Sequence, residues 1–357
     1  MTTPGQHSYR EITTQAASWQ GALDAVDHQR PALESLLEAN RDREHLFIGC
    51  GSTHYLALFA APFMARVTGR RCRGVPSSEV GLQTDTIVPA DDRPLVIALS
   101  RSGETSETTM AVERLKERGS AALTIGCYGQ SALAAASDAV IEIAAGREES
   151  FAQTRSFAGM LVAAQALAAV AAEDEGLLGE LRLLPALAAG VIERSMPLAE
   201  RVGTDETIKR ITYLGSGPLF GLASEATVKM KEMSLSVAEP YHFMEFRHGP
   251  MSLVDGEHLV VALLSEGMRE YELGVLEDLR ARGARIVLVG NRLAGLPETY
   301  DGALDLAADV SERAGAVLYL PFLQLLAYYR SMGRGLNPDR PRNVTMAIKL
   351  DGVHSRS

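Results

Sequence analysis

Between residues 45 and 144 the chain alternates short, largely apolar runs with longer stretches whose apolar residues recur every three or four positions. The runs are HLFIG (45–49), RCRGV (71–75), PLVIAL (94–99), AALTIG (121–126) and AVIEIA (139–144). They predict strands. THYLALFAAPFMARVTG (53–69) and ETTMAVERLKERG (107–119) carry helical spacing and predict the connections. Strands separated by helices of this length imply a parallel sheet with crossover helices.

The same order returns further along. RITYLGSG (210–217), HLVVALLSEG (258–267) and ARIVLVG (284–290) predict strands with turns, and ATVKMKEMSL (226–235) and YELGVLEDLRARG (271–283) predict helices. The halves overlay with nearly constant spacing. FIGCG (47–51) meets YLGSG (213–217) at an offset of 166, as Glu79 meets Glu245; ALS ending at Ser100 meets LLS ending at Ser265 at 165; Gly126 meets Gly290 at 164. The expected fold is therefore α/β: two tandem doubly wound, flavodoxin-like parallel-sheet domains related by internal duplication. A helical lead-in over 1–40, with Trp19 packed on the body, precedes domains over 41–195 and 196–357, the second ending in a C-terminal tail. The Ala- and Leu-rich stretch 159–193 reads as a packing helix plus connector.

Composition narrows the chemistry. The chain has 357 residues, 46% of them apolar and 22% charged, with a net charge of −10 and no Lys/Arg cluster. That excludes a nucleic-acid surface but not a small anion held by backbone N–H groups. Cys50, Cys72 and Cys127 are odd in number and lack metal-ligand spacing, so no disulfide framework or metal site is expected. With no apolar signal core and no long apolar run, the expectation is a cytoplasmic protein that does not enter membranes.

Hydroxyl groups crowd two predicted strand ends. GCGST (49–53) follows the first strand, with Gly51, Ser52 and Thr53 opening a helix, and SRSGETSET (100–108) follows the third, with Thr105 in the first helical turn. At the C-terminal edge of an open parallel sheet, such loops either cap the next helix or cradle a phosphate. Capping is the ordinary reading of either loop alone; two together favour an anion. No G-x-x-x-x-G-K-[ST] occurs and GCGSTHYL does not complete G-x-G-x-x-G, so nucleotide loops are unsupported.

CGST, SRSGETSET and the repeated architecture resemble the sugar isomerase (SIS) domain family. Two such domains, with SEATVKMKEMSLSVAEPYHFMEFRHGP (224–250) in the second, resemble the isomerase half of glucosamine-6-phosphate synthases over nearly the whole chain. Residue 2 is Thr rather than the cysteine a glutaminase half needs, which points to the stand-alone deaminases, isomerases and fructosamine-phosphate deglycases. The resemblance implies that Thr53, Ser100, Arg101, Ser102 and Thr105 bind the phosphate of a phosphosugar and that Ser52 and Gly51 face the sugar. The family usually has Gln where Arg101 stands. A fixed positive charge there is compatible with phosphate.

Glu225, Lys229 and Glu232 share one helical face, and spacing alone reads them as a solvated salt-bridge row. The resemblance instead makes Glu232 the general base, with Lys229 and Glu225 as its neighbours. It makes His248, before Gly249-Pro250, the ring-opening residue, donated across a homodimer interface. His54 and His242 have no assignment. Met346 in PRNVTMAIKL (341–350) stands where many relatives have an imine-forming lysine, and an odd shift to Lys349 places it on the opposite face of an extended tail. The expected activity is a phosphosugar aldose–ketose isomerase or deaminase without metal, nucleotide or organic cofactor. It takes glucosamine-6-phosphate to fructose-6-phosphate and ammonia. A fructosamine-6-phosphate deglycase or another phosphosugar isomerase is the alternative, and an inactive phosphosugar sensor is the rival from another class.

Overall fold

The computed structural model describes residues 3–296 and 299–350. In chain order the first half holds α1 (Gln6–Thr13), α2 (Ala16–Ala39), β1 (His45–Gly49), α3 (Ser52–Thr68), β2 (Cys72–Pro76), α4 (Ser77–Leu82), α5 (Thr84–Ile87), β3 (Leu95–Ser100), α6 (Ser106–Glu117), β4 (Ala121–Gly126), α7 (Ala132–Ala136) and β5 (Ala139–Glu142). Three helices follow: α8 (Arg155–Ala171), α9 (Glu175–Leu181) and α10 (Leu184–Gly203). The second half holds β6 (Arg210–Gly215), α11 (Leu219–Ser234), β7 (Val237–Tyr241), α12 (Phe243–Phe246), β8 (His258–Leu263), α13 (Arg269–Arg280), β9 (Arg285–Gly290), β10 (Gly302–Asp305), α14 (Glu312–Gly315) and α15 (Leu320–Gly333).

Two compact units result. The β1–β5 unit comprises Ala17–Glu148, Arg155–Arg182 and the tail from Thr345; the β6–β10 unit comprises the residues up to Ala16, Glu149–Thr154 and Leu183–Val344. Each contains one five-stranded sheet, ordered β2-β1-β3-β4-β5 in one and β7-β6-β8-β9-β10 in the other, and every pairing is parallel. The orders are the same when the second set is renumbered, which is the duplication read from the sequence.

Central strands are covered on both faces. In β1, Leu46 and Ile48 join Val80, Val96, Ala98, Ala111 and Leu115 in one apolar cluster, while Phe47 is fully buried on the opposite face, where α3 and α8 pack. In the second sheet Val260, Ala262, Ile286 and Leu288 meet Phe243, Phe246, Val275 and Leu279 of α12 and α13. The expected burial of Trp19 is found, within the β1–β5 unit.

Several details differ from the sequence reading. The stretch 159–193 falls in three helices rather than one helix and a connector: the chain breaks at Glu173, whose φ is 54°, and Asp174 caps α9 by accepting the Leu177 N–H at 2.9 Å. Strands β7 (VAEPY) and β10 (GALD) were not anticipated. Thr105 is the residue before α6 rather than inside its first turn. The equation of Ser100 with Ser265 also slips. Ala98 lies opposite Ile48 and Ala262 opposite its counterpart Leu214, so strand register fixes an offset of 164 here and sets Leu264 at the level of Ser100.

The glycines ending β1 and β6 let the next helix come back onto the strand. A Cβ on Gly49 would lie 2.4 Å from the Thr53 carbonyl carbon, and one on Gly215 2.6 Å from the Leu219 carbonyl oxygen. Gly49→Ala is therefore expected to destabilise by roughly 1–3 kcal/mol, read as a lower urea midpoint. Gly179→Ala in α9, with no atom within 4 Å of its new methyl, is expected to hold or raise that midpoint.

Candidate functional site

In the β1–β5 unit the order of connections reverses between β1 and β3, and the loops that follow these two strands are GCGST and SRSGETSET. Neither loop spends its hydroxyls on capping. Gly51 and Thr105, the residues before α3 and α6, make no side-chain cap bond. Thr53 Oγ1 instead accepts the Cys50 N–H and donates to the Cys50 carbonyl, both at 3.0 Å. Ser100 Oγ accepts the Gly103 N–H at 3.0 Å, and Ser102 Oγ accepts that of Glu104 at 3.2 Å. The hydroxyls brace their own loops, and two helix N-termini with their positive dipole ends face the switch point. Gly103 is obligatory here: its φ is +67°, and a Cβ would sit 1.9 Å from Ser131 Oγ. Ser52, Thr53 and Ser100 are buried; Ser102 and Thr105 are half-buried.

Arg101 does not stand as an uncompensated charge in this loop. Its guanidinium is buried, 3.5 Å from the fully buried Glu148 carboxylate, and donates to the Met346 carbonyl at 3.1 Å. Glu148 also accepts the Ser156 N–H and hydroxyl at 3.1 and 2.5 Å. The tail lies on the same loop: Ser106 N–H donates to the Ile348 carbonyl at 3.3 Å and Ser106 Oγ accepts the Leu350 N–H at 3.1 Å. Met346 and Lys349 diverge. Met346 lines a cavity of about 570 Å³ with Ser102, Glu104, Tyr128, Ser131, Glu142 and Arg147, whereas exposed Lys349 pairs with Glu104 at 3.5 Å and borders a neighbouring cavity of about 470 Å³. Sequence reading missed Arg147, which stacks on Tyr128 at 4.8 Å, and Glu148. Their signal was the charged run GREES (146–150) just past β5, another strand end on the same edge of the sheet.

The acid–base row lies on α11 in the β6–β10 unit. It is not the solvated face that spacing suggests. Lys229 and Glu225 side chains are each 2% exposed and Glu232 is 27% exposed; Lys229 Nζ lies 2.6 Å from Glu232 Oε2 and 3.6 Å from Glu225 Oε1. Taking an ammonium and a carboxylate out of water costs several kcal/mol, and their attraction seldom returns more, so such a row is poorly explained by stability alone. His248 is exposed, in the turn after α12 where its N–H donates to the Glu245 carbonyl at 3.0 Å. His242 stacks on Phe220 with ring centroids 3.9 Å apart, and burial lowers its pKa. Burial likewise lowers that of His54. Among the described residues no group of three or more His, Cys, Asp or Glu could hold a metal ion, and no helix is long and apolar enough to cross a membrane.

Two parallel sheets of one strand order, one carrying braced hydroxyl loops and the other a buried Glu–Lys–Glu row, define a tandem α/β protein of the doubly wound class. The chain belongs to the SIS domain family, which matches residues 40–170 and 207–327. The glutamine–fructose-6-phosphate aminotransferase (isomerizing) of Methanothermobacter thermautotrophicus is 27% identical over 344 residues, 96% of this chain and 57% of that protein. The chain spans about half the length of the curated relatives it matches. Among solved structures, a tagatose-6-phosphate ketose/aldose isomerase from Escherichia coli is similar with a TM-score of 0.81 at 26% identity, covering 94% of this chain and 96% of that one. A glucosamine-6-phosphate deaminase from Thermotoga maritima gives 0.73 at 28%, covering 92% and 99%.

Arg101→Ala would leave the Glu148 carboxylate buried without its cation and strip a donor from the tail. A loss of about 3 kcal/mol in unfolding free energy is expected, with faster proteolysis of the C-terminal tail; an unchanged denaturation curve would refute the pairing.

Proposed function

We propose that the protein is a phosphosugar aldose–ketose isomerase of the deaminating kind, converting glucosamine-6-phosphate to fructose-6-phosphate and ammonia. The observation that carries this is the Glu225–Lys229–Glu232 row, buried at one end and open at Glu232. A carboxylate reached by solvent yet held by a buried ammonium suits a positioned general base. The phosphate would rest on Thr53, Ser100, Ser102 and Thr105, with Arg101 shaping the loop and Ser52 and Gly51 facing the sugar. The two solved relatives named above, an isomerase and a deaminase, support the same class.

The chemistry runs without a lysine imine. After ring opening, Glu232 removes the proton on C2, and the electron pair forms the C1–C2 double bond of an enolamine. Reprotonation at C1 gives a C2 ketimine. Water adds to that carbon and ammonia leaves, so nothing beyond water is consumed. Met346, a thioether unable to form an imine, is compatible with this sequence. It equally suits simple isomerisation of a phosphosugar or deglycation of fructosamine-6-phosphate, and a phosphosugar-binding protein without turnover.

His248 is proposed as the ring-opening residue of a second copy's site in a homodimer. Topology within the β6–β10 unit supports this. Helix α11 runs back along the sheet from β6, so Glu232, near its C-terminus, lies at the edge where β7 begins. His248 follows β7 and α12 and lies at the opposite edge, on the order of 20 Å away by helix rise. Met244 and Leu253 expose apolar side chains around it.

Ammonia release measured over amino-sugar and fructosamine phosphates should find a substrate, and Glu232→Gln should cut kcat by about 10²–10⁴-fold while binding persists. Tight binding of these compounds with no turnover of any would overturn the enzyme reading. Mixed Glu232→Gln and His248→Asn proteins, each inactive alone, should recover roughly a quarter of wild-type activity, because half the dimers hold one intact site. No recovery would place His248 in its own chain's site.

A further inference from the structure

The duplicated fold contains two switch points, and the second is already filled. In the β6–β10 unit the reversal falls between β6 and β8, whose following loops hold Ser216 and Ser265. Glu272, on the first turn of α13, is 1% exposed. Its Oε2 accepts the Ser265 backbone N–H at 2.8 Å and its Oε1 accepts the Ser265 hydroxyl at 2.9 Å. Ser265 Oγ in turn accepts the Met268 N–H at 3.1 Å, as Ser100 Oγ accepts that of Gly103 in the first repeat.

No Lys or Arg forms an ion pair with Glu272 among the described residues. Burial raises its pKa, Glu312 adds to the rise, and the serine hydrogen bonds oppose it. A buried carboxylate without a cation is costly unless hydrogen-bond donors replace its water. The donors here are a backbone N–H at a strand end, a serine hydroxyl and a helix N-terminus. That is the set a phosphate oxygen takes at such a place.

We infer that Glu272 is the resident anion of the second switch point, occupying donors that an external phosphate would use, so that the duplicated chain presents one phosphate-type site instead of two. In the first repeat no carboxylate bonds Ser100 among the described residues, and its hydroxyl accepts the Gly103 N–H.

Titration calorimetry of the full chain with inorganic phosphate tests this, read as the stoichiometry of Glu272→Ala minus that of wild type. An increment of one equivalent per chain is expected. A folded Glu272→Ala protein, with wild-type circular dichroism and elution volume, that gains no equivalent would overturn the inference. The smaller, polar Glu272→Ser also empties the carboxylate's place should the alanine variant fail to fold: phosphate, against chloride at equal ionic strength, must raise its Tm by more than it raises that of wild type. Equal rises would overturn the inference as well. A wild type that binds no phosphosugar would sink the proposed function but leave both comparisons intact.

Discussion

An open parallel sheet imposes one electrostatic condition on everything built around it. Where the connections reverse, adjacent strands deliver their loops to a single crevice, and the helices that follow present unpaired N–H groups and positive dipole ends there. A negative group must meet them, or water must. The two repeats answer differently. The β6–β10 unit turns Glu272 inward onto Ser265, while the β1–β5 unit braces its hydroxyls within the loops. The same constraint explains why Gly49 and Gly215 recur: only a residue without a Cβ lets the helix return close enough for its first N–H groups to face the crevice.

Specialisation of the repeats then follows from what each no longer has to do. With its switch point closed, the β6–β10 unit can bury charge elsewhere, and it does so on α11, where Lys229 sits between Glu225 and Glu232. A lysine so buried has lost its hydration and is held by two carboxylates, which fixes Glu232 far more tightly than a solvated pair would. The β1–β5 unit spends its buried pair differently. Arg101 and Glu148 tie the hydroxyl loop to the chain beyond β5 and to the tail carbonyl of Met346. An arginine there supplies planar donors in several directions at once, which a glutamine could not.

Most of this was legible in the sequence because parallel strands covered on both faces read as short apolar runs, and eight of the ten strands among the described residues did emerge, the half-buried edge strand RCRGV among them. The two that did not are edge or late strands. VAEPY carries Pro240 and leaves Val237 and Glu239 exposed, and GALD has four residues, so neither shows a buried run. The break at Glu173 was hidden for a different reason: the Ala and Leu spacing continues across it, and only Asp174, an N-cap, marks it. Side-chain placement was less legible than fold. Spacing put Glu225, Lys229 and Glu232 on one face but could not say whether that face was wet. Nor could it reveal that Arg101 would find Glu148, because that pairing spans 47 positions and depends on β3 and β5 ending at the same edge of one sheet.

The methionine at 346 is where these strands of argument meet. A lysine at this point of the tail would lie beside Ser102 and over the cavity bounded by Glu104, Glu142 and Arg147. Lys349, the next lysine, is drawn instead to Glu104 on the tail's other side. The tail therefore offers the cavity a soft apolar surface, and apart from the exposed Lys349–Glu104 pair its polar contacts to the loop among the described residues come from backbone, through Met346, Ile348 and Leu350. Such contacts do not depend on side-chain identity, so the tail can keep its seat while its side chains change. In the proposed reaction, proton transfer would then be supplied by groups outside the tail, and the nitrogen would depart by hydrolysis of its own imine, a route that asks no covalent help from the protein.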